Sequence, residues 1–181
     1  MKIQFSGITI EYNKGDIASQ PDITAVVNAA NERLQSGGGV AGAIHRAAGP
    51  GLEVECRHLA PIKPGEAVIT GGHKLPNRFV IHCLGPVFGY DKPEDKLLSD
   101  CYRNALQLAD QYKVDSIAFP AISTGIFGYP PEPAIEVAVK TIKEVIPSLE
   151  YVRLIRLVFF SQHDLEICNR VLLNENIKTK P

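Results

Sequence analysis

The hydrophobic and polar positions of this chain change their period several times, and each change predicts a different element. Lys2 to Phe5 and Thr9 to Asn13 alternate apolar and polar residues around Ser6-Gly7, a pattern typical of a short hairpin. The β-branched run ITAVVNAA, at 23 to 30, predicts a buried strand. A glycine-rich loop and the small-residue helix VAGAIHRAAG, at 40 to 49, follow it. These residues predict a strand, loop and helix unit behind an opening hairpin.

The rest of the chain repeats this alternation. The further predicted strands are Glu66 to Thr70, Arg78 to Leu84, the run that begins at Ser116, and Val152 to Phe160; the further predicted helices are Leu97 to Tyr112, Glu132 to Ile146 and Gln162 to Leu173. Strands that alternate with helices predict a parallel sheet covered on both faces. The expected fold is α/β, a three-layer α/β/α sandwich with a mixed, largely parallel central sheet and an antiparallel N-terminal hairpin. We expect residues 1–173 to form a single domain and residues 174–181 a loose tail.

Composition limits the partners and the compartment more than it limits the fold. The formal net charge is -1 and the basic residues are scattered, which argues against a long nucleic acid as the main partner. The N-terminus lacks the apolar core of a secretory signal, and no stretch reaches the length of a membrane span. The cysteines show no metal-ligand spacing; they are Cys56, Cys83, Cys101 and Cys168. We therefore expect buried free thiols, no metal site, no membrane partner and a cytoplasmic protein.

Two glycine-rich loops carry the strongest chemical signal. Ser36 to Gly39 stands between a strand and a helix, where backbone N–H groups can approach an anion closely. Ser123 to Gly128 has the same position and adds two hydroxyl donors. Ligands of such sheets bind beyond the carboxyl ends of the strands, so the two loops predict a cleft that holds a diphosphate from both sides. Neither loop is a Walker A or G-x-G-x-x-G motif, which disfavours nucleotide triphosphate hydrolysis and hydride transfer.

Several single residues near these loops admit both a chemical and a structural interpretation. Asn28 and Asn31 can bind sugar hydroxyls, activate a water or cap a turn, and a functional role is favoured for Asn31 beside the glycines. Asp16 can cap a turn or accept a hydrogen bond from the amine of adenine. Phe160 can belong to the core or form a platform for a base. For most of the histidines a packing or surface role is expected, because no ordered partner accompanies them; those considered are His45, His73, His82 and His163.

Three segments together resemble the macrodomain family. They are GDI at 15–17, VVNAANERLQSGGGVAGAIHRAAGP at 26–50 and IAFPAISTGIFGYP at 117–130. The resemblance extends from Gly15 to about Leu173 and is closest to the MacroD-type branch. It implies a protein that binds ADP-ribose and that removes mono-ADP-ribose from acidic side chains of proteins, deacetylates O-acetyl-ADP-ribose, or does both. It further implies that no cofactor is required, that mono-ADP-ribosylated proteins are the partners, and that the protein is a monomer.

The resemblance also assigns a role to each matching residue. The ligand-binding set that it implies is Asp16, Ile17, Asn28, Asn31, Gly37, Gly38, Gly39, Val40, Ser123, Thr124, Gly125, Ile126, Phe127 and Phe160. In this assignment Asp16 and the Ile17 backbone bind adenine, and Phe160 stacks on or flanks the ring. The glycine loops hold the diphosphate, while Asn28 and Asn31 frame the distal ribose. The catalytic residues are Asn31, Gly38 and Phe127.

One position departs from the pattern of the MacroD-type branch. That branch reads GGGGVDGAIH where this chain reads SGGGVAGAIH, so Ala41 replaces the acidic residue expected to position a water or the distal ribose. Viral and some archaeal macrodomains share the GGGVA run and are counted among active hydrolases. The sequence therefore leaves a hydrolase and a non-catalytic ADP-ribose reader open. An ADP-ribose 1''-phosphate phosphatase and a binder of RNA adenines are weaker alternatives, and the near-neutral charge argues against the last.

Overall fold

The computed structural model describes residues 1–178, which contain a seven-stranded sheet and five α-helices. The strands are β1 Lys2–Phe5, β2 Ile8–Lys14, β3 Ala25–Ala29, β4 Ala67–Gly71, β5 Phe79–Cys83, β6 Ser116–Phe119 and β7 Leu154–Phe159. The helices are α1 Gly39–Ala48, α2 Pro50–Cys56, α3 Glu94–Gln111, α4 Pro131–Val145 and α5 Gln162–Lys178, with a 3-10 turn at Ile146–Ser148. Among the residues described, no helix is both long enough and apolar enough to cross a membrane.

The strands form one mixed sheet in the order β1-β2-β7-β6-β3-β5-β4. The five inner strands are parallel, and the two edge strands, β1 and β4, pair antiparallel with their neighbours. At the β1–β2 turn Ser6 and Gly7 both have positive φ, 47° and 80°, as a two-residue type I′ hairpin requires. The predicted α/β class, the largely parallel sheet and the opening hairpin are confirmed.

Helices cover both faces of the sheet because successive residues of a strand point to opposite sides. Ala25 and Val27 of β3 belong to a large core shared with α3, α4 and α5, whereas Val26 belongs to a smaller core beneath α1 and α2. All three side chains are fully buried. A strand that is buried on both faces carries a continuous apolar run, which explains why this segment shows no alternation. The predicted α/β/α layering is confirmed.

Two elements differ from the sequence prediction. The helix α2 is absent from the prediction; it begins at Pro50, directly after Gly49, whose φ of 80° ends α1. Proline suits the first position of a helix because an N–H at this position would have no acceptor within the helix, so its absence costs no hydrogen bond. The helix α5 continues to Lys178, beyond its predicted end at Leu173 and into the segment predicted as a tail, while 179–181 lie outside the described residues. The segment 174–178 contains no glycine or proline that would stop a helix.

The fold brings five loops to one edge of the sheet. The strands β2, β7, β6, β3 and β5 are neighbours in this order and parallel, so their carboxyl ends lie side by side. Neighbouring strands lie about 4.8 Å apart, which places the end of β2 roughly 14 Å from the end of β3. An elongated ligand can therefore lie across several strand ends at once.

Candidate functional site

A cleft of about 320 Å³ lies between the segments that follow β3 and β6. Its lining residues are Ala29, Ala30, Asn31, Gly37, Gly38, Gly39, Val40 and Ala41 on the β3 side and Ala121, Ser123, Gly125, Ile126 and Phe127 on the β6 side. Small-molecule sites have volumes of about 300–1,000 Å³, so the cleft is large enough for a ligand. The structure thus brings together the two glycine-rich loops that the sequence singled out.

The first wall of the cleft is the N-terminus of α1. Gly38 caps this helix without a side-chain hydrogen bond. The N–H groups of the first helical turn have no acceptor inside the helix, and the helix dipole gives this end a partial positive charge. Gly39 has a φ of 55°, and a Cβ on Gly38 or Gly39 would meet no protein atom within 4 Å. The wall is therefore exposed backbone suited to an anion.

The second wall, the loop between β6 and α4, offers backbone donors rather than hydroxyls. Thr124 Oγ1 donates to the carbonyl of Ala121 at 2.8 Å, and Thr124 is not among the residues that line the cleft. Ser123 Oγ is buried beneath the loop and has no hydrogen-bond partner in the described chain. The prediction of two hydroxyl donors is therefore wrong for Thr124, whose side chain closes its own turn. The N–H groups of Gly125, Ile126 and Phe127 donate to no acceptor among residues 1–178.

Two glycines outside the predicted ligand set hold these walls in position. A Cβ on Gly42 of α1 would lie 2.2 Å from the carbonyl oxygen of Gly37, and a Cβ on Gly85 would lie 2.1 Å from Ser123 Oγ. Ordinary contacts between such atoms are longer by about 1 Å or more. Only glycine therefore allows both walls to approach this closely. Sequence reasoning missed Gly42 and Gly85, because the only signal was a small residue without an evident partner.

Asn31 both lines the cleft and closes the loop that follows β3. Its Nδ2 donates to the carbonyl of Gln35 at 2.7 Å, and its Oδ1 accepts from the Gln35 N–H at 3.0 Å. The turn-capping interpretation is therefore correct, and because Asn31 also lines the cleft, its predicted contact with a ligand stays a prediction. Because an amide does not titrate near neutral pH, Asn31 can orient a sugar or a water but cannot take up a proton.

Asn28 lies outside the cleft lining and is fully buried, so the structure does not bring it to the predicted ribose site. It shares a strand face with Val26, is fully buried, and pairs with His82 across β3 and β5. Asn28 Nδ2 donates to His82 Nδ1 at 3.0 Å, and His82 Nε2 donates to Thr70 Oγ1 at 2.9 Å. Burial, together with a smaller effect of the nearby His45, lowers the pKa of His82 from 6.5 to about 3. The imidazole is therefore neutral and acts as a fixed link between three strands.

The other histidines considered also lie outside the cleft lining. His45 is buried on α1, where burial lowers its pKa. His73 pairs with Glu55 at 2.7 Å, and His163 is exposed. The packing and surface roles expected from the sequence are confirmed for these residues. The four cysteines are buried and free, and within the described chain no group of three or more His, Cys, Asp or Glu residues is placed to hold a metal.

Asp16 and Phe160 lie together at the neighbouring ends of β2 and β7. The N–H of Gly15 donates to the carbonyl of Phe159 at 2.9 Å, which joins the two segments just beyond the strands. Phe160 is 91% exposed, so a core role is excluded and a platform role remains. Ile17 buries its side chain in the smaller core, which leaves only its backbone for a ligand. Asp16, Ile17 and Phe160 are outside the 320 Å³ cleft but on the same sheet edge.

A buried arginine fixes the turn that carries Asp16. Arg156 donates to both carboxylate oxygens of Asp22, at 2.9 and 2.6 Å, and to Gln20 Oε1 at 2.9 Å. Gln20 in turn donates to the Asp16 carbonyl at 2.8 Å, and Asp16 Oδ1 accepts from the Ala18 N–H at 2.9 Å. The hydrogen bonds from Arg156 lower the pKa of the Asp22 carboxyl. The carboxylate of Asp16 therefore stands on a rigid, exposed turn.

Comparison with known proteins points to one family. Residues 27–138 match the family model described as Macro domain. The O-acetyl-ADP-ribose deacetylase of Klebsiella pneumoniae (strain 342) is 45% identical over 163 residues, which cover 87% of this chain and 93% of that enzyme. The ADP-ribose glycohydrolase MACROD2 of Xenopus laevis is 50% identical over 139 residues, 76% of this chain and 33% of that enzyme. A structure of the Oceanobacillus iheyensis macrodomain with ADP superposes with a TM-score of 0.93 at 40% identity, covering 98% of this chain and 97% of that chain.

Proposed function

Because this chain belongs to the Macro domain family, we propose that it binds ADP-ribose and hydrolyses mono-ADP-ribose from acidic side chains of proteins, or deacetylates O-acetyl-ADP-ribose. The observation that carries the proposal is that two walls of unpaired backbone N–H groups line one cleft. Two relatives named as hydrolases of ADP-ribose derivatives support the reaction class. The buried free thiols fit a reducing compartment, and we place the protein in the cytoplasm.

In this proposal ADP-ribose lies across the carboxyl ends of four strands. The adenine binds at β2 and β7, where Asp16 accepts a hydrogen bond from its amine and Phe160 contacts the ring. The diphosphate lies between the N-terminus of α1 and the loop Gly125 to Phe127, whose N–H groups would donate to its oxygens. The distal ribose then lies beside Asn31 and Phe127. The roughly 14 Å between the ends of β2 and β3 fits this extended arrangement.

Hydrolysis at the distal ribose requires a positioned water, and side chains need to supply little besides that positioning. The water oxygen forms a bond to C1'', the bond from C1'' to the carboxylate oxygen of the modified residue breaks, and the water releases a proton to solvent. Asn31 orients the ribose or the water, and the two backbone walls fix the diphosphate to which the ribose is attached. The partial positive charge of α1 stabilises the anionic substrate throughout.

Ala41 sets the expected rate of this reaction. It lines the cleft and its side chain is a methyl group, so this position supplies no carboxylate to assist the water. A general base commonly contributes about 10²- to 10⁴-fold to a rate, so we expect a slow hydrolase. The alternative function, a non-catalytic ADP-ribose reader, is favoured by the same observation and uses the same cleft.

The deciding experiment measures ADP-ribose release from a protein mono-ADP-ribosylated on glutamate. We expect release by the wild-type protein, release at least about tenfold slower by Asn31→Ala, since positioning is lost, and faster release by Ala41→Asp. Asn174→Ala, the same change on an exposed residue of α5, serves as the matched control. Micromolar ADP-ribose binding without release at high protein concentration would leave the reader as the function. Calorimetry that detects no ADP-ribose binding would contradict both.

Replacement of Asp16 tests the adenine end separately. Asp16→Ala is expected to weaken ADP-ribose binding by about tenfold, because a charge-assisted hydrogen bond to the adenine amine is lost. Inosine diphosphate ribose, which lacks that amine, is expected to bind both proteins equally. Asp16→Asn keeps the acceptor for the Ala18 N–H and so separates the ligand contact from closure of the turn. Unchanged ADP-ribose affinity in Asp16→Ala would show that adenine binds elsewhere.

A further inference from the structure

The most exposed large apolar side chains of the described residues are found at one edge of the sheet. They are Ile126 at 96%, Phe160 at 91% and Tyr90 at 82% exposed, and each follows the carboxyl end of a parallel strand. The proposed ligand site accounts for Phe160, and Ile126 lines the cleft. Tyr90 remains without a role, although it stands on the loop after β5, the strand next to β3.

The turn that carries Tyr90, Val87 to Asp91, is firmly built and is attached to the cleft wall. Asp91 Oδ2 accepts from the Val87 N–H at 2.8 Å, and Glu94 Oε1 accepts from the Gly89 N–H at 3.2 Å. The N–H of Phe88 donates to the carbonyl of Phe127 at 2.9 Å. This aromatic turn, residues 87–91, therefore forms a continuous surface with the Phe127 wall.

The strand order gives the aromatic turn a direction relative to the ligand. Along the edge of the sheet the order is β2, β7, β6, β3 and then β5. Adenine lies at β2 and β7 and the distal ribose at β6 and β3, so the next strand end lies beyond the distal ribose. Whatever is attached to that ribose leaves the cleft on the side of β5. The aromatic turn is the segment that follows β5 at this point.

Charge around the aromatic turn selects the chemical class of what it contacts. Asp91, Glu94 and Asp95 follow in close succession. Of the two lysines in this stretch, Lys92 lies between these carboxylates and Lys96 pairs with Asp100 at 2.8 Å. Burial, followed by the negative charges of Asp95 and Glu94, raises the pKa of Tyr129, whose ring lies 4.9 Å from that of Phe88. A carboxylate-rich surface repels the phosphates of a nucleic acid. It accepts a neutral or basic polypeptide without this penalty.

We propose that the aromatic turn binds the polypeptide on either side of the modified residue of an ADP-ribosylated protein, with Tyr90 as its main contact. This inference rests on the proposed function, because it takes the position of the distal ribose from it. Tyrosine is well suited to the role, since it presents a large rigid surface at a low entropic cost. The hydrogen bonds to Asp91 and Glu94 hold the turn in place before binding, which further lowers the entropic cost of binding a polypeptide.

The test compares free ADP-ribose with a peptide that carries ADP-ribose through a hydrolysis-resistant linkage. We expect wild type to bind the peptide more tightly than free ADP-ribose. Tyr90→Ala should weaken peptide binding by about five- to tenfold, as truncation of an aromatic interface contact does, and leave free ADP-ribose binding unchanged. Tyr90→Phe should retain wild-type affinity for both. Tyr151→Ala, which removes an exposed tyrosine from the segment before β7, should also leave both affinities unchanged.

Three results would overturn this inference. The first is equal peptide affinity in wild type and Tyr90→Ala, and the second is an equal loss for peptide and free ADP-ribose, which would make Tyr90 a support of the cleft itself. The third is tighter binding of an oligonucleotide that carries a terminal ADP-ribose than of the peptide, with an equal loss of affinity for the oligonucleotide in Tyr90→Ala. Failure of the proposed function is distinguishable from all three, because wild type would then fail to bind free ADP-ribose.

Discussion

Gly42→Ala is expected to weaken ADP-ribose binding by about 100-fold, the equivalent of one or two charge-assisted hydrogen bonds lost from the diphosphate. The added Cβ would lie 2.2 Å from the Gly37 carbonyl oxygen, a backbone atom that can yield only if the whole glycine loop moves. A displacement of about 1 Å removes the alignment of the N–H groups of this wall with the ligand. The substitution touches no ligand atom directly. Calorimetric titration with ADP-ribose measures the effect.

The control for Gly42→Ala must add the same methyl group where there is room. Gly71→Ala on β4 is suitable, because its Cβ would lie 3.6 Å from the nearest atom, an ordinary contact, and because Gly71 is absent from the cleft lining. Urea unfolding separates binding from stability. Overpacking costs about 1–3 kcal/mol, while alanine favours a helix interior over glycine by about 1 kcal/mol, so the net change in stability is expected to be small. Unaltered ADP-ribose affinity in Gly42→Ala would mean that the loop position does not govern binding.

The cleft could be found from the sequence because its walls are built from backbone. A glycine run between a strand and a helix specifies a local geometry that needs no knowledge of distant residues, and both loops met as expected. The close contacts that pack the two walls of the cleft could not be found in this way. Nothing near Gly42 or Gly85 in the chain indicates that Gly37 and Ser123 approach them, because these contacts depend on how α1 and the β6–α4 loop are placed.

The burial of Asn28 could not be predicted for a related reason. The run VVNAAN contains two asparagines, and only the point at which the strand ends decides which of them leaves the sheet. β3 ends at Ala29, so Asn28 still follows the alternation of the strand and enters the smaller core, while Asn31 reaches the cleft. A polar residue in another apolar strand, His82 in RFVIHCL, was the available signal that a buried partner existed.

The neutrality of buried His82 predicts a marked loss of stability in mild acid. In the unfolded chain the histidine has a pKa near 6.5, whereas in the folded protein burial lowers the pKa to about 3. The unfolded state therefore binds a proton that the folded state does not. This difference has almost no effect on the free energy of unfolding well above pH 6.5, and it lowers that free energy as the pH is reduced from 6.5 towards 3. Between pH 7 and pH 5 this one group is expected to reduce the free energy of unfolding by about 2 kcal/mol.

Urea unfolding at a series of pH values, for wild type and His82→Gln, isolates this contribution. Other titrating groups are common to both proteins and cancel in the difference, while glutamine can still accept from Asn28 and donate to Thr70. We expect wild type to be the more stable at pH 7, with the difference narrowing by about 2 kcal/mol at pH 5. A difference that stays constant would mean that His82 titrates normally in the folded protein. If His82→Gln does not fold, the imidazole proton resonances of wild type provide the same test, because those of His82 should not titrate above pH 4.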